Sequence, residues 1–128
     1  MDDDKPLADL TEAIRLDSRY VNAYVARAAI WLARHSYDKA LADAEIAVQL
    51  APQEALAYNN RGAAWIGKKQ YQNALADLDE AIRVDPALAI AFSNRGYAAL
   101  LTDKFDPALR DLNEAIRLDP KMSLAFSR

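Results

Sequence analysis

The strongest constraint on this chain is that its sequence repeats every 34 residues. Four similar segments begin with leucine, at Leu7, Leu41, Leu75 and Leu109. The same spacing links three further sets of residues: the prolines Pro52, Pro86 and Pro120, the alanines Ala40, Ala74 and Ala108, and the rings Tyr24, Tyr58, Phe92 and Phe126. Self-similarity at one fixed period is typical of proteins built from stacked structural units.

Each period is predicted to contain two helices. Apolar residues recur three and four positions apart on both sides of a short polar break. The breaks fall at 35–36, 69–70 and 103–104, so helix A is predicted near 21–34, 55–68 and 89–102, and helix B near 37–50, 71–84 and 105–118. A proline disfavours the helical conformation in the residue before it, which predicts the end of each helix B.

The whole chain, 1–128, is therefore predicted to be one array of antiparallel helix hairpins, an all-α solenoid of about seven helices. Its parts are a half repeat (helix B) at 5–18, unit 1 at 21–52, unit 2 at 55–86, unit 3 at 89–120 and the start of a further helix A at 122–128. Small residues at Ala28, Gly62 and Gly96 on helix A, and the three alanines above on helix B, predict close helix packing. A single hairpin cannot bury the aromatic ring of its helix A. The stability of the array must therefore come from the packing of each hairpin against the next.

The array begins and stops in mid-repeat. Stacked repeats normally need polar caps at both ends. We therefore expect either a longer solenoid around this segment or open ends that stack on other copies of the chain, which would give a homo-oligomer.

Composition argues against several kinds of partner. The net charge is -3 and the sequence pI is near 5.1, so no broad positive field is available for nucleic acid or for an anionic membrane surface. The sequence shows neither a signal peptide nor an apolar run long enough to span a membrane, so a cytoplasmic location is the default expectation. Without cysteine, disulfides and thiolate metal sites are excluded.

Catalytic groups are not predicted. The one histidine, His35, falls in an inter-helix turn and is expected to be solvated. The acids of helix B, which are Asp9, Asp77, Asp111, Glu12, Glu80 and Glu114, lie near Arg15, Arg83 and Arg117 and are expected on a solvated outer face. Neither a phosphate-binding glycine loop nor a metal-ligand spacing is found, so we expect no enzyme, no metal and no cofactor.

The pattern resembles the tetratricopeptide repeat, over essentially the whole chain. Unit 2 carries the resemblance in Tyr58, Gly62, Trp65, Ala74, Ala81 and Pro86, and unit 3 in Phe92, Gly96, Ala108, Ala115 and Pro120. Unit 3 departs at Ala99, where the other two units have Trp31 and Trp65. That place must be filled by a neighbour such as Tyr97 or left loose.

The resemblance implies a right-handed superhelix whose concave side is formed by the helices A. It assigns to this inner wall Asn22, Val25, Ala26, Ala29 and Leu32 of unit 1, Leu56, Asn59, Asn60, Ala63 and Ile66 of unit 2, and Ile90, Ser93, Asn94, Tyr97 and Leu100 of unit 3. The wall is apolar and carries few charges, which favours a contact surface. The residues expected to bind peptide are Asn22, Val25, Leu56, Asn59, Asn60, Ile90, Asn94 and Tyr97.

Two sets of polar residues on helix A have alternative roles. Asn60 and Asn94 occupy equivalent places and suit a peptide backbone, or they bond within their own helices. The arginines Arg27, Arg61 and Arg95 either contact an anion or pair with acids at the end of the preceding unit, such as Asp85.

The leading hypothesis is a scaffold that binds a peptide or a partner protein along the inner wall. Clamps for acidic chaperone tails occur in the family, but Val25, Ala29 and Ile90 stand where such clamps need basic or polar groups. The alternatives are a structural or self-associating segment of a longer superhelix, and the regulatory array of a larger enzyme.

Overall fold

The helices lie where the repeat pattern predicts them. The computed structural model describes residues 4–121. These residues form seven helices and no strand: α1 Lys5–Leu16, α2 Val21–Ala33, α3 Tyr37–Leu50, α4 Ala55–Gly67, α5 Tyr71–Val84, α6 Ala89–Leu101 and α7 Phe105–Leu118. Thus α2, α4 and α6 are the helices A, and α3, α5 and α7 are the helices B. The further helix A predicted at 122–128, with Phe126, lies outside the described residues.

Contacts between helices run along the chain in order, as expected of a solenoid. The helices of each hairpin pack on each other, α2 on α3, α4 on α5 and α6 on α7. Each hairpin contacts the next through α3 with α4 and through α5 with α6, while α1 packs on α2. The helices A also contact each other, α2 with α4 and α4 with α6, and so form one continuous layer. The predicted all-α solenoid of stacked hairpins is confirmed.

Small residues bring the two helices of each hairpin together. Ala28, Ala40, Ala74 and Ala108 are completely buried. A Cβ atom at Gly62 would lie 2.9 Å from the Cγ atom of Leu78, closer than real Cβ contacts allow. The predicted role of small residues in close packing is therefore confirmed.

The rings at the fourth position of helix A fill the space between units. Tyr24 is buried in a cluster with Ala47 and Ala57, from α3 and α4, and Ile14 of α1 packs against this cluster. Its hydroxyl donates to the carbonyl oxygen of Ser18 over 2.9 Å, and the hydroxyl of Tyr58 donates to Pro52 in the same way. Tyr24 therefore packs against neighbouring units, and the hydroxyls of Tyr24 and Tyr58 also hold the chain that leads into their helices.

The turn from helix A to helix B is left-handed in every unit, without glycine. His35, Lys69 and Asp103 have φ values of 59°, 62° and 60°. In unit 2 the amide of Lys69 donates to Ile66 and the amide of Gln70 donates to Trp65, each over 2.9 Å. These two bonds are those of a Schellman motif, in which glycine usually occupies the left-handed position.

Replacing Lys69 by glycine should stabilise the protein. The Lys69 side chain is exposed, and an L-residue in this conformation carries a steric cost that glycine avoids. We expect Lys69→Gly to raise the free energy of unfolding in urea by about 0.5–1 kcal/mol. The control Lys69→Ala keeps the Cβ atom and should give no gain. Equal effects of glycine and alanine would contradict this account of the turn.

Candidate functional site

The inner wall exposes an apolar strip along the layer of helices A. Leu56 is 40% exposed, Ile90 is 43% exposed and Tyr97 is 52% exposed. Leu100 is similarly exposed, and Asn22 and Ala29 are exposed beside them. Val25 and Asn94 are partly buried. Six of the eight residues predicted to bind peptide are therefore at least partly accessible on α2, α4 and α6.

A cavity lies along this wall. Its volume is about 320 Å³ and it is open to solvent. Its lining includes Leu32 of α2, Ala63 and Ile66 of α4, and Asn94 and Tyr97 of α6. A cavity of this size, with a largely apolar lining and one carboxamide, is suited to an apolar side chain whose neighbouring backbone bonds to the polar group.

The asparagines of the wall are used mainly inside the chain. Asn59 and Asn60 are only 3% and 7% exposed. The Nδ2 atom of Asn60 donates to the carbonyl oxygen of Val25 on α2 over 3.0 Å. The Nδ2 atom of Asn94 on α6 donates to Oδ1 of Asn59 over 3.0 Å, and Asn59 donates in turn to Asn60. These bonds join the three helices A, an arrangement that differs both from direct peptide binding and from bonding within one helix.

The arginines of helix A pair with aspartates of helix B in the same unit. In unit 1, Nε and Nη2 of Arg27 donate to the two carboxylate oxygens of Asp43, each over 2.7 Å. Arg61 forms the same pair of bonds with Asp77, at 2.9 and 2.8 Å. Hydrogen bonding to the aspartate raises the pKa of the Arg27 and Arg61 guanidinium groups above their usual range.

Unit 3 repeats this pairing and adds a contact to the preceding unit. Arg95 donates to Asp111 at 2.8 and 2.9 Å, and its Nη1 atom donates to Asp79 of α5 over 3.0 Å. The partner suggested by the sequence, Asp85, instead accepts from the backbone amide of Ala87. The three guanidinium groups are thus engaged by carboxylates on facing helices, which satisfies their charge within the chain.

Each of these guanidinium groups also lies near the ring at the fourth position of its own helix. The distances from the guanidinium carbon to the ring centroid are 6.0 Å for Arg27 and Tyr24, 5.8 Å for Arg61 and Tyr58, and 5.5 Å for Arg95 and Phe92. Cation–π attraction at these distances adds to the ion pair. Every unit therefore contains one aspartate, one arginine and one ring in contact.

The expectation that Asp77 and Asp111 lie on a solvated outer face is wrong. Both carboxylates are buried, and they accept hydrogen bonds from Arg61 and Arg95. The sequence did contain a signal for this pairing, since an arginine is followed by an aspartate 16 residues later in all three units. Spacing within one helix predicts a solvated face for these acids, but it does not detect a partner on the other helix.

The remaining acids of helix B do lie on an exposed surface. Glu12, Glu80 and Glu114 pair with Arg15, Arg83 and Arg117 three residues along the same helix. Hydrogen bonds from these arginines lower the pKa of the three glutamates. Asp9 is exposed and pairs with Lys5. His35 is exposed in its turn, with Nδ1 at 2.6 Å from the Tyr37 hydroxyl.

In unit 3 the place of the missing tryptophan is open. Tyr97 does not fill it, since its side chain lies on the inner wall. A cavity of about 350 Å³ is lined there by Ala99, Leu75, Pro107 and Asp111, among others. Of the two outcomes that the sequence allowed, a filled site and a loose one, the structure has the second.

Within residues 4–121 no helix has the length and apolar character needed to span a membrane. The same residues bring together no group of three histidine or acidic side chains placed to hold a metal ion.

Comparison with known families identifies the repeat. The family model described as tetratricopeptide repeat matches residues 55–88, which is unit 2 with the two residues after it. Units 1 and 3 have the same period and the same hairpin. Unit 2 is a tetratricopeptide repeat (TPR), and the chain is an array of hairpins with this fold. A comparison with curated protein sequences finds no match.

Solved structures with the same fold are TPR proteins at low sequence identity. MamA from Desulfovibrio magneticus RS-1, residues 41 to the end, superposes with a TM-score of 0.78 at 22% identity, covering 94% of this chain and 68% of MamA. The Arabidopsis OM64 TPR domain gives a TM-score of 0.73 at 24% identity, covering 79% of this chain and 84% of that domain. The second TPR of Spaghetti (RPAP3), bound to an HSP90 peptide, gives 0.72 at 23% identity, covering 84% and 99%. At these identities the likeness shows the TPR fold.

Removing one arginine of the internal pairs should destabilise the array. Arg27→Ala leaves the buried Asp43 with only the indole N–H of Trp31, which donates to it over 3.1 Å. We expect the free energy of unfolding to fall by about 2–4 kcal/mol, measured by urea denaturation. The matched control Arg15→Ala removes a surface arginine paired with Glu12 and should leave the unfolding midpoint unchanged. A similar small effect of both substitutions would contradict the assignment of a structural role to Arg27.

Proposed function

We propose that this TPR array is a non-catalytic scaffold that binds an extended peptide segment of a partner protein along the inner wall. The observation that carries the proposal is the exposed strip formed by Leu56, Ile90 and Tyr97 on consecutive helices A. Exposed apolar side chains on neighbouring helices A, with Tyr97 at the edge of a cavity, favour a contact site over a purely solvated face.

The contacts are divided between apolar anchors and a few polar groups. Leu56 and Ile90 occupy the same place in units 2 and 3 and contact alternate side chains of the ligand. Tyr97 contributes a large ring and a hydroxyl at the mouth of the wall cavity. Asn94 also lines the cavity, and within residues 4–121 its side-chain oxygen, Oδ1, has no hydrogen-bond partner. Asn94 is therefore the carboxamide proposed to bond to the peptide backbone, with Asn22 and Val25 extending the surface onto α2.

Asn59, Asn60 and the three arginines act indirectly in this proposal. The bonds of Asn59 and Asn60 fix α2, α4 and α6 relative to one another. A wall held in one shape loses less conformational freedom when a ligand binds, and so supports a higher affinity. The arginines hold each helix A on its helix B and are not used for an anionic ligand.

Two of the structures with this fold include a chaperone peptide: the second TPR of Spaghetti with an HSP90 peptide, and the TPR2B domain of yeast Sti1 in complex with pHsp70. They support peptide binding as the use of such a wall. An acidic chaperone tail is not the proposed ligand here, because Val25, Ala29 and Ile90 offer it no positive charge. We propose a ligand with apolar side chains.

The three complete units form the proposed surface together. The divisions 21–52, 55–86 and 89–120 each supply one helix A to the wall, and the half repeat 5–18 supports α2 from behind. We propose these as the repeat boundaries of the array.

Substitution on the wall tests the proposal. Peptides are first selected for binding to the wild-type protein from a random display library, and their affinities are then measured by titration. Ile90→Ser and Tyr97→Ala remove exposed apolar contacts without opening the core, and each should weaken binding about tenfold. The matched control is Leu109→Ser, which removes a leucine that is 60% exposed from α7, on the helix B side.

Circular dichroism confirms that the variants fold. If the selected peptides bind the wall variants as tightly as the wild type, or lose affinity only with the α7 control, the inner wall is not the binding surface.

A second candidate, self-association, is favoured by one face of α7. Phe105 and Leu109 are highly exposed, whereas the equivalent residues Tyr37 and Leu41 of α3 are partly buried. On α3 the next hairpin covers this face, and the ring of Tyr37 packs closely on Gly67 of that hairpin. The exposed face of α7 thus has the composition of a surface on which a further hairpin packs. In the self-associated form, that hairpin comes from a second copy of the chain.

Sedimentation over a range of concentrations separates the two candidates. Self-association predicts a mass that rises with concentration above 14.2 kDa and returns to monomer in Phe105→Ser. A constant monomer mass would leave the scaffold as the sole candidate.

A further inference from the structure

Unit 1 shows what occupies the eleventh position of helix A when a tryptophan is present. The ring of Trp31 lies against α3, with its indole N–H donating to Oδ2 of Asp43 over 3.1 Å. The Nζ atom of Lys39 lies 4.5 Å from the ring centroid. The ring therefore contacts the positions of α3 that correspond to Pro107 and Asp111 in unit 3.

Unit 3 keeps this ring site but lacks the ring. Its cavity of about 350 Å³ is lined by Pro107 and Asp111, with Leu75 of α5 and the buried Ala99. Asp111 remains in place because Arg95 holds its two oxygens. The cavity thus combines apolar groups from Leu75, Ala99 and Pro107 with an acceptor at the position where a tryptophan N–H donates in unit 1, while the paired side chains of Arg95 and Asp79 complete this part of the lining.

The loss of the ring is accompanied by two added positive charges. Lys104 and Arg110 also line the cavity. The equivalent residues are Ser36 and Gln70 for Lys104, and Ala42 and Ala76 for Arg110, all uncharged. Within residues 4–121 neither Lys104 nor Arg110 forms an ion pair, whereas Arg95 is bound by Asp111 and Asp79. The lining therefore carries two positive side chains outside the internal ion pairs, next to the apolar groups of Leu75, Ala99 and Pro107.

We propose that the cavity of unit 3 binds an aromatic side chain, an indole above all, from a partner polypeptide in which an acidic residue adjoins the aromatic one. The ring enters the space equivalent to the one that Trp31 fills in unit 1, and its N–H donates to Asp111. The adjoining carboxylate pairs with Lys104 and Arg110. This site lies between α5, α6 and α7, apart from the apolar strip of the inner wall, and goes beyond the function proposed above.

Blocked dipeptides are suitable probes of this chemistry. Ac-Trp-Glu-NH2 is added to the 15N-labelled protein, and amide shifts are followed by NMR. We expect saturable shifts in residues 99–111, weaker binding of Ac-Trp-Lys-NH2, and none of Ac-Ala-Glu-NH2. Indole-3-acetate carries the same ring and charge without a peptide. If it binds more tightly than Ac-Trp-Glu-NH2, the ligand is a small aromatic acid and the polypeptide assignment is overturned.

Two variants test the two parts of the site separately. Ala99→Trp supplies the ring from within, as units 1 and 2 do, and should reduce dipeptide binding at least about tenfold. The double variant Lys104→Gln/Arg110→Ala restores the residues of unit 2 and should weaken Ac-Trp-Glu-NH2 about threefold or more while removing the preference over Ac-Trp-Lys-NH2. The charge-matched control Lys69→Gln/Lys121→Gln changes two exposed lysines outside the cavity and should preserve both affinities.

Unchanged binding in Ala99→Trp would overturn the proposal, as would wild-type shifts that avoid residues 99–111. If Ala99→Trp fails to fold, the double variant decides the outcome, because its substitutions lie at exposed positions. The wall variants Ile90→Ser and Tyr97→Ala should leave dipeptide binding unchanged, so failure of this site and failure of the inner wall are distinguishable.

Discussion

Within each unit, a guanidinium group of helix A is bound by a carboxylate of helix B. The carboxylates of Asp43, Asp77 and Asp111 are buried, and burial of a charge is tolerated only when it is paired and hydrogen-bonded. Bidentate geometry fixes the distance and the angle between the two helices more closely than apolar contact alone. In unit 1 the aromatic ring beside the arginine, Tyr24, also packs against the neighbouring units, so the geometry of this hairpin and its stacking depend on adjoining side chains.

This internal pairing explains the character of the exposed surfaces. Because the arginines and the buried asparagines bond to other residues of the chain, few charged or polar groups remain for a ligand on the inner wall. What remains is mainly apolar, with Leu56, Ile90 and Tyr97 exposed along with Asn22. In the binding mode proposed above, specificity must therefore come mainly from shape and from apolar side chains, with Asn94 as the proposed polar contact.

The sequence was sufficient for the helices and for their order. Helix B was predicted with the bounds that the structure has, since a proline follows two residues after the last helical residue in each unit, and helix A ended one residue earlier than expected. The left-handed turns at His35, Lys69 and Asp103 were not predicted, because none is glycine. The 34-residue period indicates that equivalent residues share a backbone conformation, but it does not specify which conformation they share.

Side-chain partners were less predictable than helices. The neighbours of Asp77 on its own helix predict a solvated position, yet its partner Arg61 lies on the facing helix. The relative rotation of two packed helices does not follow from the periodicity of their sequences. Asn59 and Asn60 were predicted to line the wall and bind peptide, whereas the close approach of α2 and α6 buries them. The missing ring at Ala99 left two outcomes, a site filled by a neighbour and an open one, and only the fold distinguishes them and brings Lys104 and Arg110 beside the open site.

A double-mutant cycle on Arg61 and Asp77 tests the central interaction most directly. The free energies of unfolding of wild type, Arg61→Ala, Asp77→Ala and the double variant give the coupling energy between the two side chains. The pair accounts for the hairpin geometry if this coupling is about 1.5–3 kcal/mol, the range for hydrogen bonds to charged groups. A coupling near zero would show that the two helices hold together without the pair, and would contradict the account.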